Sequence, residues 1–250
     1  MHEEIFKVRY YEVDAGGRLP LWALQNYFQE AAGADAHKLA VGAEDFGPKG
    51  IAWVLTKMQF KFTAAREGAL PPAPRRQNIK IKTWHHLCEK IQSRRDFIIY
   101  GEDGHEIAKG ITWWVILDLE KRKITRIPQH LIDLNPSNPP AVMEGAQMKA
   151  PDFGAQPPLN SYEIIVRLED IDSNGHVNNA HYSAWAMEGV PADVYRAKQL
   201  DDVFINFKNE AMKGDKIIAK TYGCGDSAYW HILTREADGK EIVAMYTSWR

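Results

Sequence analysis

Cysteine is scarce in this chain: Cys88 and Cys224 are the only two in 250 residues. Two cysteines make no disulfide framework, and without a Cys-x-x-Cys pair or a His/Cys cluster neither a metal nor a cofactor is called for. The simplest setting is a reducing, intracellular one. Long apolar runs are missing as well. None approaches the roughly 20 residues that span a bilayer. The opening MHEEIFKVRYYEVD has neither an apolar signal core nor an Arg/Ser-rich transit segment. The chain therefore reads as soluble, cytoplasmic and unprocessed. An excess of one charge is lacking too. A formal net charge of −2 and a pI near 6.5 leave no global basic field for nucleic acid, so an acidic partner has to be met by a local patch.

What is present is ordinary globular material. Apolar residues at 45% and charged residues at 26% exclude disorder and coiled coil. The length suits two domains of roughly 100–150 residues each. Eight Trp, ten Tyr and nine Phe are explained for the most part by core packing, and they also permit a long apolar ligand.

The chain repeats itself. VRYYEVDAGGRLPLWALQNYFQEAAG, from Val8, aligns without a gap on VRLEDIDSNGHVNNAHYSAWAMEGVP, from Val166, at a constant offset of 158 residues. Arg9 falls on Arg167, Asp14 on Asp172, Tyr27 on Trp185 and Glu30 on Glu188. In each copy a strand (around Ile5–Arg9 and Ile164–Val166) enters a Gly/Asp/Asn-rich turn. A helix follows, with apolar residues at helical spacing: Leu21, Leu24, Phe28 and Ala31, then Tyr182, Trp185, Ala186 and Val190. Further strands are expected at Ile51–Thr63, Gln77–His85, Lys90–Gly101, His105–Asp118 and Lys123–Ile127. In the second half they fall at Leu200–Asn209, Lys216–Gly223, Ser227–Glu236 and Glu241–Trp249. One helix wrapped by an antiparallel sheet, twice over, is an α+β plan. The expected domains are 1–128 and 159–250, joined by an irregular Pro/Asn/Gly-rich linker at 129–158.

The copies control for each other. The second turn reads Asp172-Ser173-Asn174-Gly175-His176, the first Asp14-Ala15-Gly16-Gly17-Arg18. Asp is common to both and is also a usual turn former, whereas only the second copy has an amide at Asn174 and an imidazole at His176. Such turns between strand and helix aim functional groups from a rigid scaffold. Chemistry is expected in the second copy.

The stretch Leu168–Glu188, LEDIDSNGHVNNAHYSAWAME, resembles the catalytic segment of plant and bacterial acyl-ACP thioesterases. Trp53–Gln59, Arg94-Arg95-Asp96-Phe97 and Thr112–Val115 look like that family's first-domain landmarks, and the resemblance covers nearly the whole chain. It implies two tandem hotdog domains that can pair within one chain, so either a monomer or a homodimer is feasible. It also implies hydrolysis of fatty acyl-[acyl-carrier protein], ending fatty acid synthesis. Asp172, Asn174 and His176 match the family's catalytic trio, and Glu210 its later carboxylate. Where plant members have Cys after that Glu, this chain has Ala211, which argues against a Cys nucleophile. In the first copy Ala64 takes the place of Glu210.

For thioester hydrolysis, His176 and Glu210 are candidate general bases. Asn174, or a backbone N–H at Val177–Ala180, can hold the oxyanion. Asp172 either orients His176 or attacks directly. The resemblance further implies that the acyl chain enters the first domain, with Trp53, Trp113 and Trp114 as candidate walls and Asn178 and Asn179 as substrate-binding residues. The acidic carrier protein calls for a basic patch. Lys57, Lys61, Arg75, Arg76, Lys80, Lys82, Arg94 and Arg95 supply one, with Arg94 and Arg95 as docking candidates. Competing readings are an acyl-CoA thioesterase of the same fold, a non-catalytic acyl-binding protein and a hotdog dehydratase.

Overall fold

A computed structural model describes residues 1–63 and 77–250, apart from the side chain of Pro136. The expectations at Ala64, Arg75 and Arg76 lie outside the described residues. Contacts divide the chain into two compact units, Met1–Leu19 with Asn26–Gly145 and Pro20–Gln25 with Ala146–Arg250.

The first unit contains strand β1 (His2–Lys7), most of helix α1 (Leu21–Lys38), the short helix α2 (Ala43–Phe46), strands β2 (Ile51–Phe62), β3 (Asn78–Cys88), β4 (Ser93–Tyr100), β5 (Glu106–Asp118) and β6 (Lys123–Thr125), and helix α3 (Gln129–Asp133). Its antiparallel sheet runs β1-β3-β4-β5-β2, with β6 beside β5. The apolar stripe of α1 faces this sheet. Phe28 stacks on Phe97 and Phe60 with ring centroids 4.4 and 5.0 Å apart. It crosses the sheet over Gly110, where a Cβ would meet its ring at 2.9 Å. Fully burying side chains of this size contributes about 1.5–3 kcal/mol each.

The second unit holds β7 (Asn160–Ile165), α4 (Asn179–Met187), α5 (Ala192–Ala197), β8 (Leu200–Phe207), β9 (Lys216–Gly223), β10 (Ala228–Arg235) and β11 (Glu241–Trp249). Its sheet runs β7-β9-β10-β11-β8, antiparallel throughout. Strand for strand this is the order of the first unit, so the repeat is a repeat of topology. Each copy is a hotdog: an antiparallel sheet against a central helix.

Two features depart from the reading of the sequence. The second central helix is short, because the chain breaks at Gly189-Val190-Pro191 and Pro191 starts α5. Gly189 lies so close to β9 that a Cβ there would fall 1.9 Å from the Thr221 hydroxyl oxygen, which leaves no room for a larger residue. The other is the expected linker. As far as Gly145 it belongs to the first unit. Ile127 and Leu131 are buried with Val41, Phe46, Cys88 and Ile116, and Asn135 exchanges hydrogen bonds with the Cys88 backbone at 2.8 and 2.7 Å. A five-residue helix rich in neighbouring prolines has too short a period to show in sequence. Among the described residues no helix is long and apolar enough to cross a membrane.

Candidate active site

The turn that carries the chemistry is built by its own backbone. Asp172 N–H donates to the His176 carbonyl at 2.8 Å and Gly175 N–H to the Asp172 carbonyl at 3.0 Å. Gly175 has φ +82°, a left-handed conformation that costs glycine nothing. The bridge between Ile171 and Val177 closes the loop. The first copy repeats this bond for bond: Asp14 N–H to the Arg18 carbonyl at 2.8 Å, Gly17 N–H to the Asp14 carbonyl at 2.9 Å, Gly17 at φ +75°. Both copies enter the turn alike, from a single 3-10 turn. Arg9 N–H donates to the Glu12 carboxylate at 2.8 Å and Arg167 N–H to the Asp170 carboxylate at 2.7 Å.

Side chains then separate the copies. In each turn one oxygen of the Asp accepts from the backbone two residues on, Gly16 at 2.9 Å and Asn174 at 2.8 Å. The other oxygen accepts from Arg18 Nε at 3.1 Å in the first copy and from Asn174 Nδ2 at 3.4 Å in the second. The Asp172 carboxylate therefore orients Asn174. The group facing the His176 ring is Glu210, with Oε2 3.3 Å from Nε2. The two side chains are 29% and 38% exposed, open enough for water and a substrate to reach them.

Glu210 is brought there by a backbone clasp on its neighbour. Val177 N–H donates to the Ala211 carbonyl at 3.0 Å, and Ala211 N–H donates to the Tyr182 hydroxyl at 3.0 Å. Arg235 Nη1 donates to the Glu210 carbonyl at 3.0 Å. Burial raises the Tyr182 hydroxyl above the ordinary phenol range, so it stays protonated as a fixed strut. Neither Tyr182 nor Arg235 was singled out in sequence; Tyr182 looked like one more residue on an apolar helix face. Asp170, fully buried, completes the frame. Its carbonyl accepts from Asn178 N–H at 2.9 Å, and its carboxylate lies 3.3 Å from His181 Nδ1.

The structure brings together Asp172, Asn174, His176 and Glu210. Asn178 is the N-cap of α4, its side-chain oxygen accepting from Ala180 N–H at 2.9 Å. That is the usual helix-start role of Asn, and it engages the side-chain oxygen, not the amide nitrogen. Asn179 opens α4, half-buried. Of the four backbone donors considered for an oxyanion, Val177, Asn178 and Ala180 already have acceptors, which leaves Asn179.

In the first unit, neighbouring residues of a strand point to opposite faces, so Trp113 and Trp114 cannot line one pocket. Trp114 lies on the helix side of the sheet, its Nε1 donating to Thr112 Oγ1 at 2.8 Å. Trp53, paired with Ile116, shares that face, and its Nε1 donates to the Val41 carbonyl at 2.9 Å. Trp113 is on the outer face, tight under Gly145, where a Cβ would meet its ring at 2.6 Å. Arg94 is also on the outer face, held by Asp96 at 2.7 and 2.9 Å and by the Met143 carbonyl at 2.7 Å. Arg95 is 2% exposed and paired with Asp35 of α1 at 2.7 Å. A docking role for Arg95 is thereby corrected: its guanidinium is in the core, not on the surface. Among the described residues no cluster of His, Cys, Asp and Glu could hold a metal.

Residues 1–134 match the family model described as acyl-ACP thioesterase N-terminal domain, and residues 157–250 the one described as acyl-ACP thioesterase C-terminal domain. Among curated proteins, an acyl-[acyl-carrier-protein] hydrolase of Cuphea viscosissima, described as chloroplastic, is 25% identical over 98% of this chain and 61% of its own length. An oleoyl-acyl carrier protein thioesterase of Arabidopsis thaliana is 22% identical over 100% of this chain and 76% of its own. The chain thus spans about three-fifths of the length of the Cuphea relative. Solved structures share the fold. The acyl-ACP thioesterase from Bacteroides thetaiotaomicron has TM-score 0.85 at 18% identity, over 99% of this chain and 97% of that one. The 12:0-ACP thioesterase from Umbellularia californica has TM-score 0.82 at 20% identity, over 99% and 96%. With both family models matched in order, one on each hotdog copy, the chain belongs to the acyl-ACP thioesterase family.

Proposed function

We propose that this protein hydrolyses the thioester of fatty acyl-[acyl-carrier protein], releasing free fatty acid and holo-carrier protein and so ending fatty acid synthesis, in a cytoplasmic setting. The observation that carries the reading is the His176–Glu210 pair, 3.3 Å apart, on the turn that also presents Asn174. Water attacks the thioester carbonyl carbon while the paired imidazole and carboxylate take its proton. Asn174 Nδ2, oriented by Asp172, and the Asn179 N–H hold the oxyanion at the start of α4, where the helix favours negative charge. As the tetrahedral intermediate collapses, the C–S bond breaks and the proton passes to the departing pantetheine sulfur. Asp172, engaged with Asn174 at 2.8 and 3.4 Å, serves as a positioning residue.

The acyl chain enters the first unit along the helix-side face that carries Trp53 and Trp114. For the acidic carrier protein, the outer face of the first sheet offers lysines instead of Arg95. Lys80 and Lys82 of β3, Lys109 of β5, and Lys57 and Lys61 of β2 share that face. Release of fatty acid from acyl-carrier protein across chain lengths, with His176→Ala as control, tests the function; no release at any length would sink it. Lys61→Glu with Lys109→Glu should raise KM for acyl-carrier protein severalfold at low salt and leave KM for acyl-CoA unchanged.

A further inference from the structure

A polar row lies inside the first unit where hydrolysis makes no use of it. Strand register sets His85 opposite Arg95 and Arg95 opposite Thr112, all on the face that meets α1. Arg95 Nη1 is held by Asp35 at 2.7 Å and Thr83 Oγ1 at 3.2 Å. His85 Nδ1 is 3.1 Å from Ser93 Oγ. Arg95 Nη2 and His85 Nε2 are both buried without a hydrogen-bond partner, in residues only 2% and 7% exposed. Two such atoms on paired residues are uncommon, since a buried polar group without a partner is costly. Half-buried Trp53, its ring 6.3 Å from that of His85, and half-buried Trp114, bonded to Thr112 at 2.8 Å, flank the row.

Charge selects the ligand. Asp35 balances Arg95, and burial together with the Arg95 charge holds His85 well below the ordinary imidazole range, hence neutral. An anion would bring an uncompensated charge into the core, and a methylene would leave both polar atoms unpaired. A neutral oxygen reaching the row would accept from Arg95 Nη2–H and pair with His85 Nε2, whose role follows from the tautomer. We propose that the first unit binds acyl chains bearing a hydroxyl or keto oxygen, recognised by Arg95 and His85. This deepens the thioesterase reading and rests on it in taking the ligand to be an acyl chain.

Tryptophan fluorescence of the whole protein, titrated with a saturated fatty acid and with its hydroxy and keto counterparts substituted at successive carbons, provides the test. At one position along the chain the oxygenated acid should bind about tenfold more tightly than the saturated one, as one well-made buried hydrogen bond allows. His85→Phe should abolish that ratio and His85→Gln retain part of it. Equal affinity at every position, the result if the row holds only a water, overturns the proposal, as does a preference that survives His85→Phe. Should His85→Phe not fold, the wild-type ratio and His85→Gln decide. Hydrolysis of unsubstituted acyl-carrier protein, measured separately, reports on the function itself, so the two ideas fail independently.

Discussion

Arg18 stands in the first copy where His176 stands in the second, and its Nε donates to Asp14 at 3.1 Å, whereas His176 turns its Nε2 to Glu210 at 3.3 Å. The backbone around the two residues is the same turn. The first copy ties its side chain back to its own Asp; the second presents it to a carboxylate from the distant loop between β8 and β9.

A double-mutant cycle on that carboxylate and imidazole follows. His176→Ala and Glu210→Gln should each lower kcat about 10²- to 10⁴-fold, the usual contribution of positioned acid–base groups. The double variant should lose little more than the worse single one, because groups acting as a unit are not additive. Steady-state kinetics on acyl-carrier protein reads this directly, and additive losses would separate the two roles.

Converting the second turn to the first, Asn174→Gly with His176→Arg, should abolish hydrolysis while the protein stays folded. The new arginine can reach Asp172 as Arg18 reaches Asp14, so the turn keeps its bonds. Melting temperature within a few degrees of wild type (roughly 1 kcal/mol or less), alongside absent activity, is the expected pair of results.

Arg95→Met should destabilise the protein by about 3–5 kcal/mol, because it leaves Asp35 charged and alone in the core. Arg95→Met combined with Asp35→Leu should recover most of that loss. Urea unfolding of the three proteins measures it. A single variant as stable as wild type would mean the guanidinium is not buried as described.

His231 is wholly buried between Thr221 Oγ1 at 2.9 Å and Thr247 Oγ1 at 3.1 Å, and burial lowers its imidazole from 6.5 to about 3. The unfolded chain therefore binds a proton that the folded one refuses between these values. The stability it lends is complete above pH 6.5 and is lost as pH falls toward 3, by up to about 1.4 kcal/mol per pH unit. Urea midpoints measured from neutral pH down to roughly pH 4 should show this slope, and His231→Gln should flatten it.

Much of the fold was legible because its signals are local. Lys216–Gly223 and Glu241–Trp249 are strands at the residues where their alternation ends, and the matching turns at Gly104 and Gly239 mark hairpins in corresponding places. The helix α3 and the clamp of Arg94 on Asp96 and Met143 were not legible, since short helices and irregular straps have no period. In the candidate site, the asymmetry of Asn174 and His176 against Gly16 and Arg18 could be read directly. Glu210 entered only through the family resemblance, and Tyr182 not at all, because a hydroxyl that holds the Ala211 N–H looks in sequence like a core aromatic.

By itself, then, the sequence determined that the chain is a duplication, that each copy turns on an Asp with a glycine three residues later, and which copy carries an imidazole. Those features depend on bonds between residues a few positions apart. Only the tertiary structure decided that Glu210 faces His176, that Arg95 is a core ion pair, and that Trp113 and Trp114 look to opposite sides of one sheet. Strand register and face, summed over the whole sheet, choose a side chain's distant partner, and no contiguous stretch of residues contains that choice.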